Sequence, residues 1–166
     1  RKESSAASDV YKRQDILRAN TNKVIGNRSF SSKKEIVKKL GQITVEECHT
    51  NNIATVIKHI PGHGCTTFDS HLKMPKVNLT KGHLNKNDFF PFKKSAAKMA
   101  MTAHILYKKI DPNNVATFSK KIIKEIIRKK IGYKGIIMSD DISMKALKYD
   151  LITNAKKSLE AGCNLV

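Results

Sequence analysis

Along the chain, short apolar runs alternate with stretches whose apolar residues recur at helical spacing. The run Ile53-Ala54-Thr55-Val56-Ile57 lies between Asn51-Asn52 and Pro61-Gly62. Its length and β-branching predict a buried strand. Met99 to Leu106 predicts a second strand, Gly135-Ile136-Ile137-Met138 a third, and Cys163-Asn164-Leu165-Val166 the start of a fourth. Between them, Ile36, Leu40 and Ile43 mark one face of a helix running to about Asn51. Ser32-Lys33-Lys34-Glu35 reads as its capping box, with Ser32 as N-cap. Ile122, Ile123, Ile126 and Ile127 predict a helix capped by Ser119 and stopped by Gly132, and Asp150 to Ala161 a last helix ended by Gly162. Pro91 suits the start of a short helix over Phe92 to Lys98. The remainder of His59 to Pro91 reads as irregular, and loops of that length in compact domains are often functional.

Strand, loop and helix in repetition, with near-continuous apolar strands, predict an α/β fold: a parallel sheet covered by helices. Working residues in such folds sit at the carboxyl ends of the strands. Three polar groups fall there: Lys58-His59, His104 and Ser139-Asp140-Asp141.

Composition changes this picture little. The net charge of +18 has the size of a nucleic-acid footprint, but the 166 residues hold 27 Lys, 5 Arg and 18 Ile. Bidentate recognition of bases and phosphates favours Arg, and the Lys are spread along the chain without aromatic companions. A general Lys/Ile bias explains the charge, and no nucleic-acid partner is expected. No run approaches the roughly 18 apolar residues of a membrane helix, so no membrane partner is expected. Cys48, Cys65 and Cys163 are odd in number and widely spaced, which points to a reducing compartment. Residues 1–14 lack an apolar pattern and a signal-peptide core, and are set outside the fold as a tail or a sequencing artefact.

The stretch KHIPGHGCTTFDSH, Lys58 to His71, holds three of the six histidines. As metal ligands, His59, His63, Cys65 and His71 fit poorly, because Pro61-Gly62 splits them and no helix gathers them on one face. Asp69-Ser70-His71 places a carboxylate two residues from an imidazole. Such a pair fixes the tautomer of the histidine and makes its free nitrogen a better base; the same spacing also suits a surface turn that the contact merely orders. Of Asp140-Asp141, one aspartate suffices to cap a following helix. The other, at a strand end, could serve as a nucleophile or base. Lys58 and His59 could hold a hydroxyl-rich or anionic ligand, and Arg28 could clamp a hydroxyl or carboxylate or stand on the surface.

These stretches together resemble one family. KHIPGHGCTTFDSHLKMP resembles the KHFPGHG…DSH…LP signature of family 3 glycoside hydrolases. MTAHILYKKIDPNNVATFS, GYKGIIMSDDISMKA and VIGNRSF resemble three further segments, in the family's order, and the β-N-acetylhexosaminidase branch is the nearest match. The resemblance covers about Asp15 to Val166. It implies a (β/α)8 barrel of which this chain is the middle portion. It implies Asp140 as nucleophile, His71 as acid/base with Asp69 as its dyad partner, and Arg28, Lys58 and His59 as residues that hold an N-acetylglucosamine unit. The implied reaction is hydrolysis of terminal, non-reducing β-linked N-acetylglucosamine from peptidoglycan fragments during wall recycling, in the cytoplasm, with no metal and no cofactor. The partner is thus an amino-sugar or muropeptide substrate, and the complete protein is expected to be a monomer. Phosphorolysis, a basic nucleic-acid-binding module and a sugar-binding relative without activity are the competing readings.

Some positions depart from the pattern. Asn27 stands where the family commonly has aspartate, and Val115 where it has proline. A barrel of this type runs to about 250 residues, so opening and closing strands are missing, and the 166-residue chain alone is expected to fold poorly and to be inactive.

Overall fold

The computed structural model of the chain describes residues 14–18, 29–66 and 74–166. In chain order it contains helix α1 (Lys34–Thr50), strands β1 (Val56–Ile60) and β2 (Lys76–Val77), helix α2 (Lys81–Lys86), strands β3 (Met99–Thr102) and β4 (Leu106–Tyr107), a π-helix (Ile122–Ile131), strand β5 (Ile136–Met138) and helix α3 (Leu151–Ala161). Single 3-10 turns cover Phe90–Phe92 and Ala116–Phe118.

The main sheet has the order β1-β3-β5, and both pairings are parallel. Segments on either flank extend it. The Gln14 amide donates to the Lys58 carbonyl at 3.0 Å, and Leu165 forms a parallel bridge with Met138. Gln14, which the sequence sets in the tail, is buried and belongs to the fold. β2 and β4 pair in parallel as a separate small sheet.

Side chains alternate across a strand, so the register fixes two faces. Ile57, Ala100 and Ile137 stand in one row, buried beneath the helices. Lys58, Met101 and Met138 stand in the opposite row and are half-buried. Onto the first row pack Ile122, Ile123, Ile126, Ile127 and Ile131 of the π-helix, with Phe89, Phe92 and Tyr133. Burying each of those isoleucines contributes roughly 1.5–3 kcal/mol.

The expected Ser119 cap forms, and Asp150, read as the first residue of the last helix, caps it instead. The Ser119 hydroxyl accepts from the Ile122 amide at 3.1 Å, and the Asp150 carboxylate from the Thr153 amide at 3.0 Å. Gly132 and Gly162 end their helices at φ of +77° and +115°, a left-handed conformation that favours glycine.

Six expectations are corrected. The N-cap of α1 is Lys33, whose side chain caps nothing; the hydroxyl of Ser31 receives the Lys33 amide, and Ser32 is exposed. The buried face of α1 is Val37, Gly41 and Val45, while Ile36, Leu40 and Ile43 are 40%, 37% and 49% exposed. Gly41 explains the rotation, because a Cβ there would collide with the buried Gln14 side chain. β1 lies three residues later than its apolar run, and Met99 to Leu106 divides into β3, a bend and β4. Pro91 sits within the 3-10 turn and starts no helix over 92–98, whereas β2 and α2 occupy the stretch read as irregular.

Candidate active site

The carboxyl ends of β1, β3 and β5 share one rim because the strands are parallel and in register. Lys58 pairs with Met101, which pairs with Met138, so each strand delivers its polar groups at that level or within three residues beyond it: Lys58-His59, His104 and Asp140. The ladder shifts between Lys58 and Ile60, and such a bulge re-aims a side chain at a strand end.

His59 is held by a residue that sequence reasoning did not single out. Asp15 Oδ2 accepts from the His59 ring Nδ1 at 2.8 Å and from the His59 amide at 3.1 Å; Asp15 Oδ1 accepts from the His63 amide at 2.6 Å. Asp15 is fully buried. Burial works against its charge, yet the His59 hydrogen bond, the His59 and His63 rings and the His63 amide outweigh it and hold the carboxyl below its ordinary range. A carboxylate only accepts, so a proton lies on His59 Nδ1, and the buried ring's Nε2 faces Asp140. Nε2 stands 3.7 Å from Asp140 Oδ2. That is too long for a hydrogen bond, but close enough that one ligand hydroxyl beside the pair would reach both atoms.

The loop after β1 reaches this geometry through two glycines. Gly62 adopts φ of +142° and its carbonyl accepts from the buried Tyr107 hydroxyl at 2.5 Å. At Gly64 a Cβ would strike the Ile16 carbonyl, so only glycine lets the loop lie against the segment bearing Asp15. His63 is buried, its Nδ1 is 2.8 Å from the Thr66 hydroxyl, and its ring lies 5.2 Å from that of His59.

Asp140 is partly buried, with its side chain 19% exposed. Its Oδ1 accepts from the Asp141 amide at 2.9 Å, and Asp141 Oδ1 accepts from the amide and hydroxyl of Ser143 at 2.8 and 2.6 Å. Asp141 thus orders the turn after β5 and does not cap a helix, which leaves Asp140 as the carboxylate presented at the strand end. His104, buried beneath that turn, contacts the Asp141 carbonyl and the Thr117 hydroxyl.

The structure therefore brings His59 and Asp140 together, and Lys58 precedes His59 in the middle of β1, half-buried. Arg28, Asp69 and His71 lie outside the described residues. Among the described residues, no group of three or more His, Cys, Asp or Glu side chains is arranged to hold a metal ion. Burial and the Asp88 charge push the Cys65 thiol far above its ordinary value, which keeps it a neutral thiol. No helix among the described residues is long and apolar enough to cross a membrane.

Comparison with known proteins decides the family. Residues 14–166 match the Glycosyl hydrolase family 3 N terminal domain. The chain belongs to that family. It is 37% identical over 150 residues to the Beta-hexosaminidase of Actinobacillus succinogenes, and 39% identical over 149 residues to that of Alkalilimnicola ehrlichii; each alignment covers 87% of this chain, and 43% and 42% of those proteins respectively. Among solved structures, NagZ from Neisseria gonorrhoeae in complex with N-trifluoroacetyl-D-glucosamine superposes with a TM-score of 0.82 at 34% identity, over 93% of this chain and 45% of that one. A glycoside hydrolase family 3 beta-N-acetylglucosaminidase from Paenibacillus sp. str. FPU-7 superposes with a TM-score of 0.88 at 32% identity, over 93% and 30%. The chain thus spans less than half the length of the curated relatives it matches. The arc of parallel strands under helices is a partial (β/α)8 barrel of the family 3 type, and its polar rim is the carboxyl-end face on which such barrels carry their chemistry.

Proposed function

We propose that the protein containing this chain is a retaining β-N-acetylglucosaminidase. It removes terminal, non-reducing N-acetyl-D-hexosamine from peptidoglycan-derived fragments, in the cytoplasm, as part of wall recycling. The observation that carries this reading is the 3.7 Å approach of His59 Nε2 to Asp140 Oδ2, with His59 oriented by the buried Asp15. That approach supports a sugar-holding group and a carboxylate nucleophile on one rim. The relatives named beta-hexosaminidase and the NagZ structure with a bound glucosamine derivative support the sugar class.

In this reading His59, with Lys58 and Arg28, holds the sugar hydroxyls. The Asp140 carboxylate attacks the anomeric carbon, and the bond to the leaving oxygen breaks. His71, paired with Asp69, gives its proton to that oxygen, and the glycosyl ester of Asp140 forms. Water then loses a proton to His71 and attacks the same carbon, the ester bond breaks, and the sugar leaves with its configuration retained. His71 and Asp69 enter on the family motif they match.

The test uses the full-length protein and a nitrophenyl N-acetyl-β-D-glucosaminide. Turnover and a 2-fluoro glycosyl label on Asp140 are the expected results. Absence of label on Asp140 in an active enzyme would defeat the nucleophile assignment. A sugar 1-phosphate as main product in phosphate buffer would replace hydrolysis by phosphorolysis.

A further inference from the structure

The β5 turn that presents Asp140 rests on a buried polar chain that the proposed chemistry leaves unused. His104 is 1% exposed, and Thr102 and Thr117 are fully buried. They come from three places: the end of β3, the bend after it, and the 3-10 turn Ala116–Phe118. His104 Nε2 lies 3.0 Å from the Asp141 carbonyl, and His104 Nδ1 lies 2.7 Å from Thr117 Oγ1. Thr117 Oγ1 lies 2.9 Å from Thr102 Oγ1 and 3.3 Å from the Ala103 carbonyl.

The proton positions along this chain follow from one end. A carbonyl can only accept, so His104 Nε2 must carry a proton. Burial disfavours the imidazolium, and although the charges of Asp140 and Asp141 pull the other way, the ring's pKa falls below its ordinary value. His59 adds to that fall. In a neutral ring with Nε2–H, Nδ1 is an acceptor. The Thr117 hydroxyl therefore donates mainly to Nδ1 at 2.7 Å, with the Ala103 carbonyl at 3.3 Å as the longer branch of the same donor, and it accepts from Thr102. The order Thr102 to Thr117 to His104 to the Asp141 carbonyl is thus one-directional and leaves each hydrogen satisfied.

We propose that His104 is a positioning residue: its Nε2–H grips the Asp141 carbonyl and so sets the direction in which the neighbouring Asp140 carboxylate points. The Asp141 amide already donates to Asp140 Oδ1, so a single residue, Asp141, joins the imidazole's anchor at its carbonyl to the nucleophile at its amide. This inference rests on reading Asp140 as the nucleophile. His104 touches no reacting atom; it acts through the backbone of residue 141. A misplacement of about 1 Å at a reacting group can lower a rate roughly 100-fold.

The experiment uses the full-length protein. His104→Leu removes the donor, His104→Gln keeps an amide N–H at the reach of Nε2, and Thr117→Val and Thr117→Ser remove and keep the hydroxyl that fixes the ring. Expected are a kcat roughly 10- to 100-fold lower for His104→Leu with KM changed less than about twofold, a matching fall in the rate of 2-fluoro glycosyl labelling of Asp140, and substantial recovery in His104→Gln. Thr117→Val should follow in the same direction with a smaller fall, and Thr117→Ser should stay near wild type. The inference is overturned if His104→Leu keeps wild-type kcat, if His104→Gln is no better than Leu, or if KM rises while kcat holds. Should His104→Leu fail to fold, nitrogen-15 spectra of wild-type histidines decide: a neutral Nε2–H tautomer for His104 supports the proposal, and an Nδ1–H tautomer sinks it. A wild-type protein that turns over substrate without label on Asp140 overturns the nucleophile reading and this inference with it, a result distinct from any failure confined to the variants.

Discussion

Two histidines stand on the rim, and they are supported in opposite ways. His59, at the end of β1, leans on a charged, fully buried carboxylate, Asp15. His104, after β3, leans on a chain of neutral hydroxyls, Thr117 and Thr102. The first arrangement puts a proton on Nδ1 and turns Nε2 toward the Asp140 carboxylate. The second puts the proton on Nε2 and points it into the protein, where it fastens backbone. The same side chain therefore serves as a contact within the site in one place and an inward strut in the other, and the partner of Nδ1 decides which.

The comparison can be broken at several points. The largest effect belongs to the carboxylate that both arms serve. Asp140→Asn should lower kcat on the order of ten-thousand-fold or more in the full-length protein while the fold survives; circular dichroism and turnover measured on the same sample check both halves. Next comes the charged arm. Asp15→Ala removes the acceptor for three donors around His59 and His63, and losing one member of a buried charged cluster should cost about 3–5 kcal/mol, read from denaturant midpoints. An unchanged midpoint would show that Asp15 is not the anchor it is taken to be.

The two arms should also fail at different acidities. The folded His104 has a lowered pKa, so the unfolded chain binds the proton first, and its contribution to stability is lost as pH falls below about 6.5. Asp15 has a lowered folded pKa as well. Its contribution is intact above the ordinary carboxylate range and is lost only as pH falls below about 4. Thermal melts across pH should thus show two separate declines, and His104→Gln should erase the first alone. The smallest effect concerns the hydroxyl beside His63. Thr66→Val removes a 2.8 Å contact to Nδ1 and should cost about 1 kcal/mol, with kcat nearly unchanged.

Much of this architecture was legible in the chain. The isoleucine face of the π-helix, its Ser119 cap, Gly132, and α3 with Gly162 all occur where pattern and cap chemistry place them. The failures cluster where function or crowding overrides pattern. β1 was read three residues early because its apolar run stops at Lys58-His59, while the ladder continues through those polar residues to Ile60. A strand that ends in a site must carry polar groups, and period alone takes them for loop. On α1 two apolar stripes compete, and the stronger one, Ile36, Leu40 and Ile43, faces outward because Gly41 lets the weaker one approach Gln14. Of the site, His59, His104 and Asp140 were visible as polar residues after apolar runs. Asp15 was not: it follows no recognisable run, and its partners lie 44 and 48 residues away. No local signal announces such a partner. The expected roles of Arg28, Asp69 and His71 rest on motif and lie outside the described residues.

That long separation has a kinetic consequence. Before Asp15 can receive the amides of His59 and His63, the chain must close a loop of 44 to 48 residues, an entropy cost on the order of 3 kcal/mol. Helix α1 lies wholly inside that loop and can form beforehand from near-neighbour bonds. In refolding, helical signal should therefore rise first, and the burial of Asp15 against His59 and His63 should come in a later phase, when the two ends of the loop meet.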